Sequence, residues 1–153
     1  TSKAATRMSE QFKKRKIQKI YRAVVVKAPA KPHGKLEHYL GMVPGKNIAR
    51  AYQKPGPDRK QATLDYQVLQ QTKSYTLLEI IPHTGRKHQI RVQLASMGCG
   101  IVGDVKYAET DFLPDKSIAL RAYGLRFQHP VRKEERMEIE APMPDRAPWN
   151  QFS

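Results

Sequence analysis

His83-Thr-Gly-Arg-Lys-His-Gln-Ile-Arg-Val-Gln-Leu94 is the stretch from which the fold can be worked out. It follows an alternating apolar run over residues 75–82, which predicts a strand ending at a proline. Thr84 is a candidate helix N-cap, and Gly85 supplies a flexible hinge after it. From Arg86 onward, apolar residues recur at helical spacing at Ile90, Leu94 and Met97. The stretch therefore predicts a strand, a turn and a helix.

This turn has the chemistry of an anion site. A strand-to-helix turn exposes amide hydrogens, and three cations accompany it here, so it is suited to hold a phosphate or carboxylate. The alternative is a basic surface turn whose arginines are only solvated. The stretch by itself leaves both interpretations open.

The remaining periodicities predict one α+β domain over residues 1–153, with a mixed, mainly antiparallel sheet and few helices. A further helix is predicted over residues 2–15. Trp149 and Phe152 near the carboxy terminus predict a short last helix that packs against the rest of the domain. Residues 36–43 are ambiguous, and residues 99–104 predict a short strand and turn with Asp104 as a turn residue. The predicted strands are residues 18–27, 47–53, 62–71, 75–81, 117–128 and 136–141.

The charge indicates a polyanionic partner. The sequence holds 28 Lys and Arg against 14 Asp and Glu, a net charge of +14. Within residues 1–35 there are eleven basic residues and a single acid, Glu10. Such clustering suits the phosphates of nucleic acid, although a charge run is also typical of a solvated face.

Other functional classes are disfavoured. No apolar run approaches the roughly 18 residues of a membrane span, so we expect no membrane partner. Cys99 is the only cysteine, which excludes an intrachain disulfide, argues against a zinc site and favours a cytoplasmic setting. The sequence starts at Thr1 without an initiator methionine, so we expect residues upstream.

Four blocks in order resemble the RluA-type RNA pseudouridine synthases. The most specific is Thr84-Gly-Arg-Lys-His-Gln-Ile-Arg-Val92. The others are Ser9-Glu-Gln-Phe-Lys-Lys-Arg15 leading to Lys19-Ile-Tyr-Arg-Ala-Val24, residues 98–107 with Gly103-Asp104, and residues 120–127 with His129-Pro130. Together they cover almost the whole chain.

The resemblance implies an enzyme that converts uridine in structured RNA, ribosomal or transfer, to pseudouridine without a metal or organic cofactor. It implies catalytic roles for Tyr21, which stacks on the base, and Arg91, which pairs with a catalytic aspartate. Leu120 matches a position in the apolar pocket around the base. A flat aromatic face suits an extruded uracil, and a guanidinium keeps a neighbouring carboxylate ionised. We expect the extruded nucleotide's backbone to be held by basic residues of the turn: Arg86, Lys87 and His88.

The sequence departs from the family at two kinds of position. The family's aspartate lies in a His-Arg-Leu-Asp block upstream of the Ser-Glu-Gln-Phe block, and no such block occurs here. Gln93 and Arg121 stand where the family commonly has histidine. We therefore expect the carboxy-terminal portion of a catalytic domain, inactive alone, with its aspartate upstream.

Two alternatives belong to other functional classes. The chain could be a non-catalytic RNA-binding module or pseudoenzyme, which the absent aspartate and the charge would both fit. It could instead be a basic ribosome-associated protein in which Tyr21 and Arg91 are ordinary core and surface residues. The target RNA and the oligomeric state cannot be read from the sequence.

Overall fold

A seven-stranded antiparallel sheet forms the body of the computed structural model, which describes residues 1–14 and 16–152. The strands lie in the order β3-β2-β4-β5-β1-β6-β7, and every neighbouring pair is antiparallel. The predicted α+β class with a mainly antiparallel sheet is therefore confirmed. The elements are α1 Ser2–Lys13, β1 Gln18–Val25, β2 His33–Met42, β3 Ala49–Tyr52, β4 Lys60–Gln71, β5 Thr76–Pro82, α2 Gln89–Ser96, β6 Leu120–Gln128, β7 Arg136–Glu140 and the 3₁₀ turn Trp149–Gln151.

The hairpin of β4 and β5 forms because alternating apolar residues on both strands face the core. Leu64 and Ile80 are completely buried, and Tyr66 lies opposite Ile80 across the pair. The predicted strands 62–71 and 75–81 are confirmed. The ambiguous segment 36–43 belongs to β2, whose inward positions hold the buried polar His38 next to the buried Leu40.

Strand β1 lies between β5 and β6 and carries Tyr21. Ile20, Ala23 and Val24 are buried, so the strand is fixed on both faces. Its pairing with β6 shifts register between Ile20 and Tyr21. Such a β-bulge changes the direction of a side chain and is common beside functional sites.

Helix α1 forms as predicted, and polar contacts attach it to the sheet. Residue 15, the predicted end of the helix, lies outside the described residues. The apolar Phe12 of this helix is not buried but half exposed. The buried residue is Gln11, whose amide donates to the carbonyl of Gln128 at 2.8 Å and accepts from its N–H at 3.1 Å. Polar contacts therefore fix this helix to the end of β6.

Helix α2 is shorter than the sequence predicts and begins at Gln89 rather than Arg86. His88 precedes it with a left-handed backbone, φ 58°. Thr84 is not the N-cap, because its hydroxyl donates to the Gln89 side chain at 2.7 Å. Gly98 follows the helix with φ 81°, a conformation that favours glycine.

The main core lies between the central strands, α2 and the carboxy-terminal turn. Ile90 and Leu94 of α2 pack with the buried residues of β1, β4 and β5, and Trp149 and Phe152 join the same cluster. The predicted terminal packing is therefore confirmed. Val92 packs separately with buried residues of β2, β3 and β4, so α2 is buried along two sides.

A polar network closes the far end of α2. The Gln93 amide donates to Nδ1 of His38 at 2.9 Å and to the carbonyl of Ala62 at 3.2 Å. The Ser96 hydroxyl lies 3.3 Å from Nε2 of the same histidine. The Gln93 side chain therefore supports the neutral form of His38.

We expect acid to destabilise the fold through His38. Burial lowers the pKa of this histidine below its ordinary value of 6.5, and protonation would put a hydrogen where Nδ1 accepts. The stabilisation is therefore complete above pH 6.5 and is lost as the pH falls through the folded-state pKa. Urea unfolding between pH 8 and pH 5 should show a loss in the free energy of unfolding, and this loss should be smaller in His38→Gln than in the parent. The exposed His33→Gln is the control. If it diminishes the loss as much as His38→Gln does, His38 is not the group responsible.

Candidate nucleotide-binding site

A cavity of about 880 Å³ opens where β1, β6, α2 and the loop before α2 meet. Its volume is within the range of small-molecule sites. Residues from distant parts of the chain contribute to it, so only the folded sheet assembles it. The lining residues are Phe12, residues 16–19, Tyr21, residues 82–86, residues 88–91, Leu120 and Arg136.

Tyr21 and Leu120 form its apolar part. Tyr21 and Ala23 share one face of β1, and Leu120 lies opposite Ala23 at the start of β6. The two side chains are therefore neighbours on the same face of the sheet. Both are half-buried, and together they offer an aromatic ring and an aliphatic group to a flat ligand.

The side chain of Gln89 fixes the loop that borders the cavity. Its carbonyl oxygen accepts from the Arg86 N–H at 3.0 Å, and its amide donates to the carbonyl of Thr63 on β4 at 3.0 Å. Arg86 also donates through Nε to the carbonyl of Gln61 at 2.9 Å. The glutamine of the sequence motif is therefore a structural residue that holds Arg86 at the rim.

Asp104 holds Arg91 from the side that faces away from the cavity. Its Nε and Nη2 donate to the two carboxylate oxygens at 2.9 Å and 2.8 Å. Asp104 is 1% exposed and lies outside the lining of the cavity, whereas Arg91 is 20% exposed and lines it. The turn assignment of Asp104 was thus incomplete. The ion pair raises the pKa of Arg91, so the guanidinium stays charged.

His88 lines the cavity one turn from Arg91. Its Nδ1 lies 2.7 Å from the hydroxyl of Tyr107. Burial lowers the pKa of His88, and the positive charges of Arg91, Lys106 and Lys87 lower it further. The imidazole is therefore neutral near pH 7.

The cavity is strongly electropositive. Among the residues described, its charged lining consists of cations alone: Lys16, Lys19, Arg86, Arg91 and Arg136. Lys16 also borders a smaller groove of about 230 Å³ between α1 and the β6–β7 turn, which we call the α1 groove. Its other basic side chains are Arg7, Lys14, His129 and Lys133. The two depressions together form a basic surface.

Five of the six site residues predicted from the sequence lie at this cavity. They are Tyr21, Arg91, Leu120, Arg86 and His88. Lys87 is exposed and lies outside the lining. The sequence did not indicate Arg136, which only strand pairing brings near, nor the roles of Asp104 and Tyr107.

In residues 1–14 and 16–152, no three side chains of His, Cys, Asp or Glu lie close enough together to bind a metal ion. Within the same residues, no helix is both long and apolar enough to cross a bilayer.

Known proteins match this chain over most of its length. The RNA pseudouridylate synthase family model matches residues 1–96. An uncharacterised RNA pseudouridine synthase of Chlorobaculum parvum is 31% identical over 93% of this chain and 48% of its own length. Ribosomal large subunit pseudouridine synthase D of Vibrio cholerae is 30% identical over 95% of this chain and 47% of its own. The chain thus spans about half the length of these relatives.

A solved structure has the same fold. Human RNA pseudouridylate synthase domain containing 1 superposes with a TM-score of 0.72 at 25% identity, covering 92% of this chain and 60% of that one. The family resemblance inferred from the motifs is therefore confirmed.

We expect the Arg91–Asp104 pair to be strongly coupled in stability. Arg91→Ala leaves a buried carboxylate without its partner and should cost about 3 kcal/mol in the free energy of unfolding. Adding Asp104→Asn to that variant should recover part of the loss, because an amide is less costly to bury than a charge. Urea denaturation followed by circular dichroism measures both. Arg132→Ala removes only an exposed pair with Glu135 and is the control; a similar loss there would refute the special role of the buried pair.

Proposed function

We infer that this chain, which belongs to the RNA pseudouridylate synthase family, forms the substrate-binding part of an RNA pseudouridine synthase. The substrate is a uridine of structured RNA, ribosomal or transfer, and the proposed setting is the cytoplasm. The observation that carries the proposal is that β1, β6 and α2 bring Tyr21, Leu120 and Arg91 to one electropositive cavity.

The reaction is an isomerisation. The bond between C1′ of the ribose and N1 of uracil breaks, a bond between C1′ and C5 forms, a proton leaves C5 and N1 gains one. No external oxidant, reductant or group donor is needed, which agrees with the expectation of no cofactor.

The proposed roles follow from the chemistry of each side chain. Tyr21 stacks on the extruded uracil and takes part in proton transfer, while Leu120 covers the base. Arg91 keeps the catalytic carboxylate ionised and holds it in place. Arg86, Lys87 and His88 hold the phosphates and sugar around the extruded nucleotide.

We propose that the catalytic aspartate lies outside residues 1–153. In the described part of the chain no carboxylate lines the cavity, and the nearest one to Arg91 is buried with both oxygens engaged. Asp104 is therefore poorly placed to attack a ribose. The same observation favours a second candidate, a non-catalytic RNA-binding module, so activity has to decide between the two.

The decisive experiment uses RNA tritiated at C5 of uridine, since bond formation at C5 releases tritium. Residues 1–153 alone should release none, whereas the form extended by its upstream reading frame should. In that longer form, Arg91→Ala should lower the rate roughly 10²–10³-fold, as loss of an electrostatic group typically does, while Arg50→Ala on the edge strand should leave it unchanged. Unchanged turnover in Arg91→Ala would remove its catalytic role, and no turnover in the longer form would favour the binding module.

We also expect RNA binding by the 153-residue chain to weaken steeply with salt, because each phosphate contact releases counterions. Fluorescence anisotropy with a labelled RNA hairpin at several salt concentrations gives the slope. Lys16→Ala, at the junction of the cavity and the α1 groove, should reduce the slope by about 1. Lys54→Ala removes the same charge from a position that lines neither depression. Affinity independent of salt, or equal slopes in the two variants, would contradict the proposed path of the RNA.

A further inference from the structure

The turn over residues 101–108 carries two side chains that contact polar groups of the cavity. Asp104 bonds to Arg91, and Tyr107 bonds to His88. Asp104 donates its N–H to the carbonyl of Ile101 at 3.0 Å and accepts from the N–H of Ala108 at 2.9 Å. Gly103 precedes it with φ 87°, and a Cβ there would lie 2.6 Å from the carbonyl oxygen of Ser117. The backbone of this turn is therefore fixed, and the side chains that it carries have defined positions.

The first of these side chains, Asp104, determines which part of the Arg91 guanidinium meets the cavity. The two-point contact through Nε and Nη2 fixes the plane of the guanidinium as well as its distance. Nη1 is left for a ligand. Because Asp104 lies outside the cavity lining, it does not compete with a ligand for space.

The second side chain, Tyr107, contacts His88 at Nδ1. The Tyr107 oxygen accepts a hydrogen bond from the N–H of Ala49 at 2.9 Å, and its own hydrogen is then available for Nδ1 of His88, 2.7 Å away. An imidazole that accepts at Nδ1 carries its hydrogen on Nε2 when neutral. The aromatic ring of Tyr107 also lies 5.0 Å from the Arg91 guanidinium, so the same side chain contacts both groups.

We propose that Asp104 and Tyr107 are positioning residues of this site, which fix the donor edge of Arg91 and the Nε2–H tautomer of His88 before RNA binds. Arg91 then presents Nη1 to an anionic oxygen, and His88 presents one N–H to an acceptor oxygen of the RNA. This inference rests on the proposed function for the identity of the ligand, but the orientation of the two side chains can be measured without it.

The competing explanation is a purely structural pair of contacts. A structural role predicts that Asp104→Asn and Tyr107→Phe lower thermal stability and the folded fraction, with no specific effect on turnover by the molecules that fold. A positioning role predicts a specific loss of turnover in folded protein.

The first test uses nuclear magnetic resonance on the 153-residue chain without RNA. In the parent sequence the Arg91 Nε–H should give a resonance slow to exchange with water, and Asp104→Asn should speed that exchange. Two-bond correlations should show His88 with its hydrogen on Nε2, and Tyr107→Phe should mix the tautomers. Glu138→Gln, which removes a carboxylate from an exposed arginine pair, and Tyr52→Phe on the edge strand are controls. A mixed His88 tautomer in the parent, or an Arg91 resonance unaffected by Asp104→Asn, would overturn the proposal.

The second test is a double-mutant cycle in the upstream-extended form. Asp104→Asn should lower kcat about 10²-fold, as small misplacements of a reacting group do, with KM nearly unchanged. In the Arg91→Ala background the same substitution should cause no further loss of kcat, because Asp104 acts through Arg91. Equal additional losses in both backgrounds would overturn the positioning role. Absence of turnover in the parent would instead reject the proposed function. The orientation of Arg91 and His88 would then be tested by the nuclear magnetic resonance spectra alone.

Discussion

The placement of α2 is the constraint on which the site depends. A helix of eight residues is not stable alone in water, so contacts outside it must fix its position. Gln89 ties its first turn to β4, Ile90 and Leu94 bury one side in the main core, and Gln93 bonds to His38 on β2. Arg91, which lies between these anchors, and His88, which directly precedes them, are consequently held at the cavity.

Local periodicity was sufficient to predict most of the fold. The hairpin of β4 and β5, the strand β1 and the packing of Trp149 follow from alternating or clustered apolar residues that face one core. Strand β2 could not be recognised because the polar His38 interrupts the apolar alternation between Leu36 and Leu40, and its partner Gln93 is 55 residues away. The docking of α1 through Gln11 was missed for the same reason, since pairwise polar contacts leave no periodic signal.

The residues of the site were predicted where they lie in a sequence motif, but the roles of Gln89 and Asp104 were not. The motif indicated Arg86, His88 and Arg91 together, and the resemblance added Tyr21 and Leu120, because residues close in sequence or carried by a known block can be transferred. Gln89 was counted as part of a functional motif, although its side chain is used to cap the loop. Asp104 read as an ordinary turn residue, since nothing in its neighbours shows that its carboxylate reaches Arg91, thirteen positions earlier.

The buried carboxylate allows a basic cavity to exist in the free protein. A cavity that attracts RNA needs several cations, yet cations close together repel one another, and a partly buried one is costly without a counter-charge. Asp104 supplies that charge from behind Arg91, away from the cavity lining. A guanidinium has five N–H donors; Nε and Nη2 each use one on Asp104, and the two of Nη1 are left for a ligand. The N–H groups of Arg91 that stabilise the free protein are therefore different from those that can bind an anion. Binding an anion does not require the bonds to Asp104 to break.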